Sequence, residues 1–238
     1  MVETYYAGAY WHIRKEPPEE CGRRAESFFN TLSTIDPSFS LWFKQGNSRK
    51  EALKHRIETD TASLGKMFRR GKDKLFEDLG FRLSGWNGES NDRDACAFHI
   101  KCGGYAEEVG NRCLIQLPTT GPNAERVLTA PVLTGLVRAM AVAWDPDDAL
   151  AMSHAHRDLI PDPPPDALVG WVTYLSRRRG TVPPLPAPVH IERVEDKGTL
   201  IVLTPERFTA SNPEHVALAE RVRELLDRAG LLEALRSP

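Results

Sequence analysis

The sequence lacks the features that mark membrane proteins and disulfide-rich secreted proteins. No uninterrupted apolar run approaches the roughly 18 to 20 residues of a membrane span, and the segment from Met1 to Thr4 has no basic region followed by an apolar one. Four cysteines among 238 residues are too few for a disulfide framework. We therefore expect a cytoplasmic protein that has no membrane partner and keeps its thiols reduced.

The sequence is also poor in chemical motifs. It contains neither the G-x-S-x-G pattern of serine hydrolases nor a glycine-rich phosphate loop. The formal net charge is only −2, which gives no general case for nucleic-acid binding. These absences argue against a serine hydrolase and against a nucleotide enzyme, and the charge balance leads us to expect no direct contact with nucleic acid.

Residues 81–118 alternate between apolar and polar side chains. Two turns rich in Gly and Asn interrupt the alternation, which predicts three successive antiparallel strands. One face of each strand is apolar or small: Phe81, Leu83 and Gly85 in the first, Cys96, Phe98, Ile100 and Cys102 in the second, and Cys113, Ile115 and Leu117 in the third. This face can be buried under helices, where a reduced thiol packs as a small hydrophobic group.

The flanking segments supply helices and further strands. Apolar residues at helical spacing predict helices near 19–35, 131–144 and 213–229, and shorter ones near 49–57 and 61–70. Strands are predicted at 4–13, 149–153, 169–175, and in a hairpin formed by 189–194 and 199–203. The predicted fold is therefore α+β, with a mainly antiparallel sheet covered by helices on one side.

We expect residues 1–238 to form a single domain. Both halves of the chain contain strands followed by a helix, so two subdomains that meet in the proline-rich links near 161–188 are the alternative. The sequence fits a monomer or a homodimer.

Charge is unevenly distributed along the chain. Residues 44–74, the basic segment, hold ten basic and four acidic side chains, whereas residues 144–166, the acidic segment, hold six Asp and one Arg. Fixed carboxylates can oppose a basic surface and speed association. We therefore predict partner binding by five members of the acidic segment: Asp145, Asp147, Asp148, Asp158 and Asp162.

Two histidine patterns suggest metal chemistry. His154, His156 and Asp158 form an H-x-H-x-D string after a predicted strand, as in zinc hydrolases of the metallo-β-lactamase type. Leu159 stands where that family has a further histidine, and a solvated polar loop is the competing interpretation. Cys96, His99 and Cys102 have the spacing of metal ligands, but strand alternation places His99 on the face opposite the two thiols.

Several short strings, taken in order, resemble the immunity protein 52 family of bacterial polymorphic toxin systems. The strings are Gly8-Ala9-Tyr10-Trp11, residues 39–43 followed by 48–53, Leu83-Ser84-Gly85-Trp86-Asn87-Gly88, Ala143-Trp144-Asp145-Pro146, Gly170-Trp171-Val172, Gly198-Thr199-Leu200 and Thr204-Pro205-Glu206. Together they cover most of the chain.

The resemblance implies an α+β cytoplasmic protein that binds and neutralises a cognate secreted toxin. It also implies no enzymatic activity, no cofactor, and no catalytic, cofactor-binding or metal-binding residues. Such toxins usually carry a restriction-endonuclease-like nuclease domain and are often delivered by contact-dependent or type VI secretion systems. We expect carboxylates near Asp145 to Asp148 to cover the basic active-site cleft, with the basic segment as the competing surface. The alternatives are a zinc-dependent hydrolase built on His154, His156 and Asp158, and an adaptor for an unknown protein.

Overall fold

A computed structural model of the chain describes residues 2–107, 109–160 and 167–233. The strands in this part are β1 (Tyr5–Trp11), β2 (Phe81–Trp86), β3 (Ala97–Cys102), β4 (Asn111–Gln116), β5 (Asp148–Ser153), β6 (Val172–Ser176), β7 (His190–Val194) and β8 (Gly198–Val202). They form one antiparallel sheet in the order β2-β3-β4-β1-β5-β6-β8-β7. The predicted meander and the predicted hairpin therefore belong to the same sheet.

Helices cover one face of this sheet. They are α1 (Pro18–Ile35), α2 (Arg49–Ala52), α3 (Thr61–Arg70), α4 (Pro122–Val127), α5 (Ala130–Trp144), α6 (His154–Asp158) and α7 (Pro213–Arg228). The main core lies between the sheet and α1 and α5. Within it, the rings of Trp11 and Trp144 stack with centroids 5.3 Å apart. The predicted α+β fold with helices on one side of the sheet is confirmed.

Strand alternation in β1 separates the two faces. Tyr5, Ala7, Ala9 and Trp11 point into the main core, whereas Tyr6 and Tyr10 lie on the second face. A Cβ atom at Gly8 would lie only 2.6 Å from the hydroxyl oxygen of Tyr10, so glycine lets the Tyr10 ring lie across the strand. The second face carries a small apolar cluster of Tyr6, Leu150 and Met152. It is the less covered side of the sheet, and we call it the open face.

Helix boundaries follow the capping residues. Asp60 accepts a hydrogen bond from the backbone N–H of Ser63 at 2.9 Å at the start of α3, and Asn212 accepts one from that of Glu214 at 3.0 Å at the start of α7. α5 ends at Asp145, whose φ of 47° is left-handed. No helix in the described ranges is long and apolar enough to cross a membrane.

Two local predictions were wrong. Residues 154–158 were predicted as loop, but Ser153 accepts a hydrogen bond from the backbone N–H of His156 at 3.0 Å and starts α6. Ser48 caps α2 as expected, yet this helix ends at Ala52 and does not reach Ile57. The chain turns there because Ile57 donates its backbone N–H to Trp42 at 2.8 Å.

The contact between α1 and α3 depends on a glycine. A Cβ atom at Gly22 would lie 2.7 Å from the carbonyl oxygen of Thr61 and 2.8 Å from the backbone nitrogen of Gly65, whereas one at Gly135 in α5 would make ordinary contact with Ile35 at 3.4 Å. We expect Gly22→Ala to lower the free energy of unfolding by about 1–3 kcal/mol. Gly135→Ala should raise it by about 0.5–1 kcal/mol, because alanine favours helix. Urea denaturation of both variants checks this, and equal effects would contradict it.

Candidate functional site

A row of charged side chains crosses the open face. Strand register places Arg82 opposite Lys101, and Lys101 opposite Arg112, on the neighbouring strands β2, β3 and β4. The row continues through Tyr10 to Asp148. We call Arg82, Lys101 and Arg112 the cation row. Because like charges on directly opposed strand positions repel, this arrangement costs stability.

The environment of Lys101 shows this repulsion. The side chain is only 2% exposed, and its ammonium group donates to the carbonyl oxygen of Val109 at 3.4 Å. Burial lowers the pKa of Lys101, and Arg112 and Arg82 lower this pKa further. Arg82 and Arg112 are exposed, so they carry the charge that a partner would meet.

His99 lies beside the cation row on the open face. Its Nδ1 atom is 2.8 Å from the hydroxyl oxygen of Ser84. Burial, followed by Arg112 and Arg82, lowers the pKa of His99, so the ring is neutral near pH 7. Cys96 and Cys102 are buried in the main core, and burial raises the pKa of both thiols. The prediction that His99 and the two cysteines occupy opposite faces is confirmed.

A cavity of about 480 Å³ opens on the same face, next to the cation row. Its lining is of mixed charge: it includes Tyr6, Tyr10 and Leu150, the basic residues Arg112 and Arg157, and the acidic residues Glu107, Asp147 and Asp148. Arg157 lies over the Tyr6 ring at 6.0 Å from its centroid. The cavity is large enough for one or two side chains of a partner protein.

The acidic segment is divided between interior and surface. Asp147 is 2% exposed; it forms an ion pair with Arg178, and its Oδ2 atom lies 2.5 Å from Nδ1 of His12. Asp148 is also buried and pairs with Arg179 at 3.1 Å. Both carboxylates are paired within this chain and nearly buried, and both residues line the cavity of the open face.

Two of the five predicted partner-binding carboxylates are exposed. Asp145 is 3.6 Å from the ammonium group of Lys197, and Asp158 is 3.3 Å from the guanidinium group of Arg157. Asp162, the fifth, lies outside the described residues. A direct role for the acidic segment therefore depends on Asp145 and Asp158 within the described ranges.

The H-x-H-x-D string does not converge on one point. The His154 ring packs on Tyr6 at 4.7 Å on the open face, whereas the His156 ring packs on Phe208 at 4.7 Å in the interior. Asp158 is exposed beside Arg157. Within the described part of the chain, no group of three or more His, Cys, Asp or Glu side chains could hold a metal ion.

The basic segment borders the edge strand β2. Phe43 exchanges backbone hydrogen bonds with Trp86 at 2.8 and 3.0 Å, and Arg82 donates its backbone N–H to Gly71 at 3.1 Å. Gly71 of the segment thus pairs with the Arg82 end of β2, and Phe43, directly before the segment, pairs with the Trp86 end. The positive charge counted along the sequence therefore lies at the same edge of the sheet as the cation row.

Sequence reasoning missed an exposed apolar pair that follows the basic segment. Leu75 and Phe76, which we call the tip, are 84% and 60% exposed. Asp73 fixes their backbone, because its Oδ1 atom accepts hydrogen bonds from both of their N–H groups at 3.0 Å. These bonds are the main cause of the lowered pKa of Asp73. The available signal was an Asp two residues before an apolar pair, a common turn pattern.

Large apolar side chains that are exposed and bordered by polar residues, as in the tip, are typical of a protein-binding surface. The model of the family Immunity protein 52 matches residues 3–235, and the chain belongs to this family. Among solved structures, the Pseudomonas aeruginosa T6SS protein PA0821 has a similar fold, with a TM-score of 0.58 and 14% sequence identity over 99% of this chain and 78% of that one. No curated protein matches the chain in sequence.

The two kinds of carboxylate in the acidic segment should differ in their effect on stability. Asp147→Ala removes the partner of Arg178 and His12 from a buried position, so we expect the free energy of unfolding to fall by about 2–3 kcal/mol. Asp158→Ala, the matched surface control, should change it by less than about 0.5 kcal/mol. Chemical denaturation at pH 7 measures both, and a small effect of Asp147→Ala would contradict the interior assignment.

His156 should make stability depend on pH. Burial lowers its pKa from 6.5 to about 4, and its Nδ1 atom has no hydrogen-bond partner among the described residues. Because the unfolded chain binds the proton more tightly, the His156 contribution is complete above about pH 6.5 and is lost as the pH falls toward 4. The loss amounts to about 3 kcal/mol.

In the His156→Phe variant, position 156 cannot take up a proton, so the free energy of unfolding should fall less between pH 7 and pH 4 than it does in wild type. The exposed-site control His190→Gln should follow the wild-type curve. Denaturation midpoints between pH 4 and pH 7 test this expectation, and parallel curves for wild type and His156→Phe would refute it.

Proposed function

We propose that this protein is the antidote of a cognate secreted toxin and neutralises it by forming a tight complex. The observation that carries the proposal is the family match across residues 3–235. The fold shared with a T6SS protein of Pseudomonas aeruginosa supports a toxin that is delivered by a type VI secretion system. The complex would form in the cytoplasm of the producing cell.

The proposed toxin is a nuclease with a restriction-endonuclease-like domain, and protection comes from blocking access to its active-site cleft. Such a cleft is basic because it binds the phosphate backbone. Asp145 and Asp158 are the exposed members of the predicted carboxylate set that could face it. The protein itself performs no chemical step in this proposal.

Titration against the protein encoded by the adjacent gene tests the proposal. DNA cleavage by that protein should fall linearly as this chain is added and should reach zero at a fixed molar ratio close to one, independent of incubation time. A binding antidote is consumed stoichiometrically, whereas an enzyme would protect at far lower ratios and increasingly with time.

The control is an immunity protein from an unrelated toxin system, which should leave cleavage unchanged at the same ratios. Failure of this chain to form a complex with the adjacent-gene product would overturn the proposal. If a complex forms but the adjacent-gene product cleaves no DNA, the antidote function stands and the assignment of the toxin as a nuclease is wrong. Protection that grows with time at substoichiometric ratios would indicate catalysis.

A further inference from the structure

The β2 edge of the open face carries positive charge that the described residues compensate only in part. Asp73 is the one described carboxylate within 4.0 Å of the cation row, and it lies 3.7 Å from Arg82. Among the described side chains, none forms an ion pair with Arg112 or with the buried Lys101. An acidic group from outside would relieve the repulsion along the row.

The basic segment extends this charge beyond the sheet. Backbone pairing of Gly71 and Lys72 with Arg82 and Phe81 brings the end of the segment to the edge of the cation row. Two of its ten basic side chains, Arg69 and Lys72, form ion pairs with Glu19 and Glu77 outside the segment, and the others add to the positive charge of this region. Arg49 lies beyond the other end of β2, where it donates a hydrogen bond to the carbonyl oxygen of Gly88 at 3.0 Å. Long-range attraction sums over such charges and speeds the encounter with an oppositely charged partner.

The tip lies at the β2 edge of the sheet, next to the cation row, and it can make apolar contacts with a partner that the charged side chains cannot make. One carboxylate links the two features, because Asp73 accepts from the backbone of Leu75 and Phe76 and also pairs with Arg82. The backbone of the tip is therefore ordered before binding, and an exposed aromatic side chain on an ordered backbone can supply a large apolar contact area.

We propose that the cation row, the basic segment and the tip together form the docking surface for an acidic face of the cognate toxin, with Phe76 inserted into an apolar depression of that face. This assignment rests on the proposed function. It places the main contact outside the DNA-binding cleft, because that cleft would be basic. The bound protein then covers the neighbouring cleft, which the exposed carboxylates can face.

The other possible occupants fit this surface less well. Nucleic acid would satisfy the arginines, but it offers no apolar depression to Phe76, and the chain as a whole carries a net charge of −2. A second copy bound through a two-fold axis would set the same patch against itself. The cation rows of the two copies would then repel each other.

Association kinetics with the adjacent-gene product test the assignment. We expect Arg82→Glu combined with Arg112→Glu to lower the association rate constant at least about 10-fold at 50 mM salt, and the difference from wild type to shrink at 500 mM salt. The matched control is Arg221→Glu combined with Arg228→Glu. It makes the same change in net charge on exposed residues of α7, which packs on the main core, and should stay within about twofold of wild type.

The tip is tested separately with Phe76→Ala. This variant should raise the dissociation rate constant about 10-fold or more and leave the association rate constant nearly unchanged. Since Phe76 is 60% exposed, its denaturation midpoint should equal that of wild type, which separates lost binding from lost folding. The circular-dichroism spectra and midpoints of the double variants provide the same check.

The outcomes separate this inference from the proposed function. If wild type binds the adjacent-gene product but Arg82→Glu/Arg112→Glu and the α7 control behave alike, the docking surface is wrong and the antidote function stands. If the purified wild-type chain binds a 20-base-pair DNA duplex and the Arg82→Glu/Arg112→Glu variant does not, the surface binds nucleic acid. If sedimentation shows that wild type is a dimer and the Arg82→Glu/Arg112→Glu variant is a monomer, the surface binds a second copy of the chain.

Discussion

Simultaneous pairing of β1 with β4 and β5 holds the two halves of the chain in one sheet. Ala7 lies opposite Ile115 on one side and Ala151 on the other, and alternation along β1 decides which side chains enter the core. The same register sets Tyr10 between Arg112 and Asp148, so the cation row ends at β4. The arrangement of charge on this surface is thus a direct consequence of backbone pairing.

Local patterns in the sequence were sufficient for most of the architecture. The meander could be predicted because its strands alternate strongly, and α7 because Asn212 and Pro213 start it and an apolar stripe follows. His99 could be assigned to the face opposite Cys96 and Cys102 from the two-residue period alone. The family was also recognisable from short strings in a fixed order, because these strings lie in or next to the strands, helices and turns of the fold.

The charged site could not be predicted in the same way, because its pairing joins distant parts of the chain. Counting six Asp in the acidic segment says nothing about Arg178 and Arg179, which lie about thirty residues later and neutralise two of them. Arg82, Lys101 and Arg112 are equally scattered in sequence and meet only through strand register. A count of charges along the sequence identifies a charged surface only when the counted side chains are exposed. Whether a side chain is exposed depends on the tertiary structure.

The central position of β1 also sets a delay in biosynthesis. This strand leaves the ribosome before either of its partners, and its last partner, β5, ends at Ser153, more than 140 residues after the end of β1 at Trp11. At translation rates of about 5–20 residues per second, the interval is on the order of 10 s. Before β4 emerges, both edges of this apolar strand are unpaired, and one edge stays unpaired until β5 follows, open to chaperones and to other nascent chains. A chain interrupted before β5 is made therefore lacks one neighbour of its central strand and cannot complete the sheet.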